Sequence, residues 1–407
     1  MAMAHVRPDE PRLLRRFRVP DRWLVHAYYT VSPYAPDGTD RVLVAGADLD
    51  RNLCEVLILG PDGDVLERFG TNPIRTSFFH TGRWQTWSAD GSAVYYDSGT
   101  VTEPRFVRRD LATGQETVVL GSLDGATPSD GPLISGLLAM HDAACDPVAG
   151  YRPEASPVPF QAREEHGLFE YTLDPPSSTL RLSVADLLAG HPDRDVLHSA
   201  DEEVRRLLGD GSEGLTLLTF CVRWSPDGSR LLFFFGNNGV PGDRGERRVK
   251  YVMTARADLT DLHVAMDLGS APGVHWSWQP DNVTLIGYGP DPEQPGRLCL
   301  AQVRFDGTGY RKLAEHSSGG HPSVSPVDPD LLVTDHYPPH GRVTFLSRAA
   351  GEVLGSRALP LHDGGSLRGR SPHRIDAHPV FHPSGDRILC NSLPGRHAEL
   401  VELEVPR

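Results

Sequence analysis

The stretch from Trp224 to Phe234, WSPDGSRLLFF, joins two apolar runs through the turn sequence Ser-Pro-Asp-Gly. Proline presets φ in such a turn and glycine accepts a left-handed backbone, so the stretch predicts a β-hairpin. Similar phrases recur along the chain: WSADGSAVYY from Trp87, WQPDNVTLIGY from Trp278, VSPVDPDLLVTD from Val324 and FHPSGDRILCN from Phe381. The last four copies lie roughly 50 residues apart, a period typical of propeller blades of about four strands each.

Between these phrases lie further hairpins with alternating apolar and polar residues, as expected for the outer strand pairs of blades. The pattern predicts an all-β fold, a seven-bladed β-propeller in a single domain over residues 1–407, with six or eight blades as alternatives. The predicted blades cover about 20–68, 78–121, 130–183, 216–269, 273–316, 320–360 and 375–407. Residues 184–215 depart from strand alternation and are predicted to be a short, partly helical insertion, with Ser199 or Asp201 as a helix N-cap.

The composition suits this fold and narrows the choice of partners. A chain of 407 residues with 39% hydrophobic residues, 41 Gly and 35 Pro can bury a large core among strands and turns. The net charge of −14 argues against nucleic acid and anionic membranes, so an anionic ligand would need a local cationic pocket. The sequence also bears on location. No apolar stretch approaches the ~20 residues of a membrane span. The N-terminus has no signal-peptide pattern. The five scattered cysteines suggest no disulfide framework. We therefore predict a cytoplasmic location.

Histidines precede several of the turn phrases. In a propeller the ends of the inner strands surround a central channel, so such residues can converge although they are far apart in sequence. The four histidines at these positions are His80, His275, His321 and His378. The segment HRIDAH adds His373 and Asp376, and Asp376 lies two residues from His378, on the same face of an extended strand.

These residue types fit a metal site. Neutral imidazole is the commonest metal ligand, and a carboxylate adds charge and a second ligand type. We predict that His321, His373, Asp376 and His378 supply three or four ligands for a divalent ion, with Mn²⁺ favoured and Zn²⁺ as the alternative. A single histidine beside a proline at a strand start is usually structural, so the prediction depends on the group. His382, inside a turn phrase, is predicted to be structural.

Three C-terminal segments resemble the oligogalacturonate lyases in order and spacing. They are GVHWSWQPD from Gly273, GHPSVSPVDPDLLVTDHYP from Gly320 and RIDAHPVFHPSGDRILCNS from Arg374. The resemblance implies a propeller that cleaves uronic-acid oligosaccharides by β-elimination, with a metal held by histidines, a catalytic histidine and an arginine. By position it implies metal roles for His321 and His378 and the catalytic role for His275, with Arg248 as the nearest match for the arginine. Where the family is expected to have a further histidine and a glutamine, this sequence has Asp376 and His373.

Two N-terminal segments resemble the propeller ulvan lyases. FHTGRWQTWSADG from Phe79 and GYRPE from Gly150 imply catalytic roles for His80 and Tyr151. A second histidine of that pattern would fall near Asp97, where this sequence has none. Arg163 is a further candidate for the arginine that neutralises the substrate carboxylate.

The chemistry of β-elimination explains these residue types. The proton α to a carboxylate becomes acidic when a metal ion or an arginine offsets the carboxylate charge, and a histidine or tyrosine then accepts it. We therefore predict a metal-assisted lyase whose partner is an acidic oligosaccharide. The alternative is a non-catalytic TolB-like or WD40-like propeller that serves as a binding or scaffold module, because propellers host many functions.

Overall fold

The computed structural model describes residues 10–75, 78–125, 131–145, 151–209, 214–237, 240, 242–269, 275–315, 319–336, 341–361 and 375–406. These residues form seven antiparallel sheets, one for each blade of a seven-bladed β-propeller, which confirms the predicted fold class. Blades 1 and 2 contain β2 (Trp23–Val25), β3 (Val42–Asp48), β4 (Leu53–Leu59), β5 (Val65–Pro73), β6 (Thr86–Trp87), β7 (Ala93–Gly99), β8 (Pro104–Asp110) and β9 (Glu116–Leu120). Blades 3 and 4 contain β10 (Leu133–Gly136), β11 (Gly167–Leu173), β12 (Pro176–Ser183), β13 (Leu218–Trp224), β14 (Arg230–Gly236), β15 (Lys250–Arg256) and β16 (His263–Asp267).

The remaining blades follow in chain order. Blades 5 and 6 contain β17 (Ser277–Trp278), β18 (Thr284–Pro290), β19 (Leu298–Arg304), β20 (Arg311–Ala314), β21 (Ser323–Val324), β22 (Leu331–His336), β23 (Arg342–Ser347) and β24 (Val353–Ala358). Blade 7 contains β25 (Val380–Phe381), β26 (Arg387–Ser392), β27 (Glu399–Glu404) and β1 (Leu13–Phe17). The helices in the described ranges are α1 (Phe78–Thr81), α2 (Leu138–Cys145), α3 (Val184–Gly190) and α4 (Arg194–Leu208), with 3₁₀ turns at Pro153–Ala155 and Gly242–Arg244.

Blade 7 joins the two ends of the chain. The N-terminal strand β1 pairs antiparallel with β27, and Arg15 forms an ion pair with the buried Glu402. Glu399 accepts from both Arg16 and Arg18 in the same way. The sequence prediction assigned this blade to residues 375–407 alone, because the short run LLRRF carries no turn phrase that would mark it as a strand.

Blade 3 has three strands in the described part of the chain, β10, β11 and β12. Residues 122–124, which precede β10 and form no strand, are buried. The Asp124 carboxylate accepts hydrogen bonds from the hydroxyl of Ser135 in β10 and from the backbone N–H of Val222 in β13 (3.2 Å). A hydrogen-bonded loop thus lies between two blades here.

The predicted helical insertion is present as α3 and α4. Leu187, Leu197 and Val204 of these helices pack in one core cluster with Phe233 and Phe235 of β14. The insertion therefore packs against blade 4.

The predicted N-caps of the insertion are wrong. Ser183 caps α3 through a reciprocal capping box with Asp186, whereas Ser199 and Asp201 lie inside α4. The Asp201 carboxylate instead accepts hydrogen bonds from Arg163 Nη2 (2.7 Å) and from the backbone N–H of Leu215 (2.8 Å). Asp201 therefore connects α4 to the loop that follows it and does not cap the start of the helix.

The first strands of four blades are short and share one register. Each pairs antiparallel with the first residues of the second strand in its sheet, as in the pairs Thr86↔Tyr95, Ser277↔Ile286, Ser323↔Val333 and Val380↔Leu389. Residues just before these first strands therefore lie at one end of the propeller, and the turn phrases lie at the other. Within the described residues, no helix combines the length and apolar character needed to cross a membrane.

Candidate functional site

Four histidines and one aspartate meet at the end of the propeller where the first strands begin. Their ring centroids form a chain, with His275 4.1 Å from His321, His321 4.2 Å from His378 and His378 5.0 Å from His80. Asp376 completes the group, since its Oδ2 lies 3.3 Å from Nδ1 of His80. We refer to His80, His275, His321, Asp376 and His378 as the hub cluster. They come from four different blades.

The local backbone brings these side chains together. His80 lies at the end of α1, and the other three histidines immediately precede the first strands of blades 5, 6 and 7. His378 has φ +47°, a left-handed conformation that is rare for a residue with a β-carbon. Gly320, before His321, has φ +152°, and a β-carbon there would lie 2.0 Å from the carbonyl oxygen of Asp335. The site therefore depends on left-handed or glycine-specific backbone conformations, which the alternation of apolar and polar residues in strands does not predict.

His80, Asp376 and His378 have the geometry of a candidate metal centre. One ligand atom from each of the three lies within 4.8 Å of the others. Asp376 and His378 are buried, whereas 42% of the His80 side chain is exposed to solvent. Two imidazoles and one carboxylate are a donor set that suits Mn²⁺ or Zn²⁺.

His378 provides an independent test of this fit. Its side chain is fully buried, and neither Nδ1 nor Nε2 has a hydrogen-bond partner among the described residues. Burial, and then the nearby His321, hold the pKa of His378 well below its usual range, so the ring is neutral. A buried polar atom without a partner is costly, and a neutral imidazole is the form that binds a metal ion. The residues present thus fit a divalent ion.

His275 is arranged as a proton acceptor. Its Nδ1 lies 2.7 Å from the carbonyl oxygen of Gly320 and donates a hydrogen bond to it, which leaves Nε2 as the basic nitrogen. Burial, and then the nearby His321 and Arg223, lower the pKa of His275 well below its usual range. The ring is therefore neutral at pH 7.

Two tyrosines and an arginine that the sequence analysis missed lie beside the hub cluster. The ring centroid of Tyr28 is 4.7 Å from that of His378, and the ring centroid of Tyr29 is 5.1 Å from that of His321. Arg223 donates to the Tyr29 hydroxyl (2.9 Å) and to the carbonyl oxygen of Trp276. Arg223 precedes a turn phrase, as the histidines do, and this position was an available signal.

Arg223 is a buried cation. Only 5% of the residue is exposed, its Cζ lies 5.2 to 5.3 Å from the ring centroids of Tyr28, Tyr29 and Phe234, and its Nη2 has no hydrogen-bond partner among the described residues. No carboxylate in the described ranges forms an ion pair with it. Cation–π contacts with these three aromatic rings stabilise its charge.

His141 of α2 was also missed. Its ring lies 4.6 Å from Phe220. Burial, and then the nearby His80, lower the pKa of His141 to about 4. No motif in the sequence marks this residue.

The other predicted catalytic residues have local contacts. Arg248 donates from Nη1 to the carbonyl oxygen of Asn237 (2.8 Å) and from Nη2 to that of Val240. Tyr151 stacks on Phe160 with ring centroids 5.7 Å apart, and Arg244 Cζ lies 3.8 Å from the Tyr151 ring centroid. We refer to Tyr151, Arg244 and Arg248 as the Tyr151 group. Both terminal nitrogens of Arg248 are used in holding a loop of blade 4.

The remaining candidates have structural contacts or lie outside the described residues. His373 falls in the range 362–374, which the structure does not describe. Arg163 binds Asp201 (2.7 Å) and the carbonyl oxygen of Leu215 (2.8 Å). His382, expected to be structural, contacts Ser384 inside its turn (2.6 Å) and the distant Asp40 (2.9 Å).

One cleft of the propeller includes no hub-cluster residue in its lining. It has a volume of about 780 Å³ and is lined by residues of blades 1 and 7, among them Trp23, Leu393 and Arg396. The Trp23 ring centroid is 5.5 Å from that of Phe79, the neighbour of His80. A second cleft of about 880 Å³ is lined by turn-phrase residues such as Asp90, at the opposite end of the propeller.

Comparisons with known proteins identify the fold. No known protein family and no curated protein match the chain by sequence. An oligogalacturonate lyase in complex with manganese is similar in structure, with a TM-score of 0.63 and 17% identity over 96% of this chain and 93% of that one. An oligogalacturonate lyase from Vibrio parahaemolyticus gives a TM-score of 0.62 and 15% identity over the same shares.

The same fold occurs outside the lyases. A chain of a mitotic checkpoint complex gives a TM-score of 0.52 and 11% identity over 100% of this chain and 98% of that one. At identities this low, the likeness establishes the propeller fold alone.

Proposed function

We propose that this protein is a metal-assisted lyase that cleaves short uronic-acid oligosaccharides by β-elimination. The observation that carries the proposal is the hub cluster, in which histidines from four blades and Asp376 meet within contact distance. A scaffold protein has no need for buried imidazoles grouped around a carboxylate. The structural likeness to an oligogalacturonate lyase in complex with manganese supports the same choice.

We assign the metal site to His80, Asp376 and His378, with His321 as a further ligand candidate beside His378. The sequence analysis gave His80 a catalytic role, but its contact with Asp376 favours a ligand role. Mn²⁺ is favoured because the set includes a carboxylate, and Zn²⁺ is the alternative. When bound, the ion supplies positive charge that offsets the uronate carboxylate and makes the C5 proton more acidic.

His275 is proposed as the base that removes the C5 proton. Its Nε2 accepts the proton, the C4–C5 double bond forms, and the bond from C4 to the glycosidic oxygen breaks. The leaving oxygen takes a proton from water or from a neighbouring acid. A neutral ring whose Nδ1 is fixed by Gly320 is suited to this role.

Arg223 replaces Arg248 in the proposal as the arginine that attracts the substrate. Arg248 is committed to two backbone carbonyls, whereas Arg223 is bonded to the carbonyl of Trp276, the residue next to His275. Its buried charge favours a substrate carboxylate bound beside it, because Coulomb attraction is stronger where water is excluded. The net charge of −14 favours short substrates, since a long polyanion is repelled more strongly.

A single assay tests the proposed function. The purified protein is incubated with galacturonate and other uronate oligosaccharides with added Mn²⁺, and the ultraviolet absorbance of the new C4–C5 double bond is followed. We expect product from acidic oligosaccharides, none from their neutral methyl esters, and loss of activity with a chelator. Equal turnover of neutral and acidic substrates would contradict the lyase assignment. Absence of both turnover and metal binding would favour a binding or scaffold propeller.

A further inference from the structure

Asp335 of β22 stands at the centre of the hydrogen bonds that hold the hub cluster. We propose that Asp335 is a positioning residue, which sets the tautomer and orientation of His321 and fixes the backbone of His378. It is no member of the candidate ligand set, and the sequence analysis assigned it no role. The inference rests on the proposed function only where it predicts an effect on metal affinity.

The contacts of Asp335 account for both of its oxygens. Oδ1 accepts a hydrogen bond from the backbone N–H of His321 (2.7 Å), and both oxygens lie 3.0 Å from His321 Nδ1. Oδ2 also accepts from the backbone N–H of His378 (3.1 Å). The residue is 1% exposed, so water does not compete for these bonds. One carboxylate thus holds two histidines from neighbouring blades.

The carboxylate determines which nitrogen of His321 carries the proton. Oδ1 and Oδ2 of Asp335 each accept a backbone N–H, so both oxygens act as acceptors and the hydrogen bond with His321 is donated by its Nδ1. Nε2 then carries the lone pair and is the atom able to bind a metal ion. Carboxylates that orient ligand histidines in this way raise metal affinity by fixing both the tautomer and the ring.

The second effect of Asp335 is on the backbone of His378. The left-handed conformation of His378, at φ +47°, is unfavourable for a residue with a β-carbon. Two hydrogen bonds offset this cost, one from the His378 N–H to Asp335 and one from His26 Nε2 to the His378 carbonyl (2.7 Å). The carbonyl oxygen can only accept this bond, so His26 carries a proton on Nε2.

Asp335 also reaches the third histidine through the backbone. The carbonyl oxygen of Gly320 accepts the hydrogen bond from His275 Nδ1, and the next residue, His321, is held by Asp335. A β-carbon at Gly320 would lie 3.0 Å from Asp335 Oδ1, so the absence of a side chain lets the carboxylate approach. The network therefore joins blades 5, 6 and 7 around one acceptor.

Asp335→Asn tests this role because asparagine has nearly the same shape. It replaces one acceptor oxygen with an NH₂ donor, which would face N–H groups that also donate. The matched control is Asp328→Asn, an exposed aspartate in a turn of the same blade. Three quantities are measured for each protein: the thermal unfolding midpoint, the tautomer of His321 from imidazole ¹⁵N NMR shifts, and the affinity for Mn²⁺ alone by calorimetry.

We expect wild-type His321 to carry its proton on Nδ1, and we expect Asp335→Asn to lose this preference and to bind Mn²⁺ about 10- to 100-fold more weakly. Asp328→Asn should match the wild type. An unchanged tautomer in Asp335→Asn would overturn the proposal. A changed tautomer in a protein that never binds Mn²⁺ would uphold the positioning role and contradict the metal site instead.

A second variant covers the case in which Asp335→Asn does not fold. Asp335→Glu keeps a carboxyl group with two oxygens and displaces it by one methylene, so it should retain the Nδ1 proton of His321 and weaken Mn²⁺ binding by less than Asp335→Asn. If neither variant folds, Asp335 is a structural residue and the proposal is wrong.

Discussion

The hub cluster and the Tyr151 group both contain residues to which the sequence analysis gave catalytic roles, but the polar side chains of the two groups have different surroundings. In the hub cluster, rings from different blades face one another at 4.1 to 5.0 Å, and His378 has two buried nitrogens without a hydrogen-bond partner among the described residues. In the Tyr151 group, the terminal nitrogens of Arg248 end on backbone carbonyls, and Arg244 donates to Glu246 at 2.9 Å.

The difference lies in where the polar atoms point. Glu246 accepts from Arg244, Asn237 and the Thr216 hydroxyl (2.7 Å), so the loop around the Tyr151 group is a satisfied hydrogen-bond network. Satisfied networks stabilise a fold. A histidine with two buried nitrogens that form no hydrogen bond lowers the stability of the folded protein, unless a bound ligand interacts with those nitrogens. We therefore expect substitutions in the hub cluster to change binding and catalysis, and those in the Tyr151 group to change stability.

The largest effect should come from His378→Ala. It removes a proposed ligand, so Mn²⁺ affinity and lyase activity should both fall by at least about 100-fold while the blades remain folded. Calorimetry with Mn²⁺, the product assay and circular dichroism measure the three quantities. The matched control is His382→Gln, four residues along the chain and bonded to Asp40. A severe loss of stability with unchanged Mn²⁺ binding would show that His378 is structural.

A pair of arginine substitutions separates the two regions directly. Arg223→Met should lower kcat/KM for an acidic oligosaccharide by about 10- to 100-fold, because it removes the buried charge beside His275. Arg248→Met should change kcat/KM less than about threefold and instead lower stability by about 1–3 kcal/mol, since two backbone carbonyls lose their donors. Steady-state kinetics and denaturant unfolding give the two quantities. The opposite pattern would restore Arg248 as the arginine of the site.

Asp124 provides a buried carboxylate away from the hub cluster. Burial raises its pKa to about 6, above the unfolded value of about 4. Its contribution to stability is therefore present below pH 4 and is lost as pH rises through 6, by about 3 kcal/mol. Asp124→Asn keeps an acceptor for the Val222 N–H and a group able to form a hydrogen bond with Ser135. The free energy of unfolding of the variant relative to that of the wild type should therefore be higher at pH 8 than at pH 4. Unfolding measured at both pH values checks the sign, and equal differences would contradict it.

The smallest effect should come from Tyr151→Phe. The ring contacts with Phe160 and Arg244 remain, and only the hydroxyl is lost. We expect kcat and KM to stay within about twofold of the wild type. A drop of 100-fold or more in kcat would move Tyr151 into the catalytic machinery.

The turn phrases were enough to predict the propeller, because each couples a hairpin turn to apolar strands at a regular spacing. Asp227, for example, accepts from the Ser229 N–H (3.0 Å) in the predicted turn. The closure by β1 was missed because pairing between chain ends leaves no local pattern. The irregular loop at Asp124 was missed because its place depends on contacts with another blade.

The site was predictable only in part. The position of histidines before the turn phrases indicated that they could converge, since equivalent positions in a propeller share one end. The ligand role now favoured for His80 depends on its 3.3 Å approach to Asp376, which no spacing encodes. Asp335 was missed because it lies near the end of β22, a strand that starts with apolar residues and carries no motif that indicates a functional carboxylate.

The most direct test of the central claim is a Mn²⁺ titration of the purified wild-type protein, followed by pulsed electron paramagnetic resonance of the bound ion. We predict one Mn²⁺ per chain with coupling to the nitrogens of at least two imidazoles, and loss of the bound ion or of one of these couplings in His378→Ala but not in His382→Gln. A wild-type protein that binds no Mn²⁺ or Zn²⁺, or that binds an ion without nitrogen coupling, would contradict the metal centre at the hub cluster.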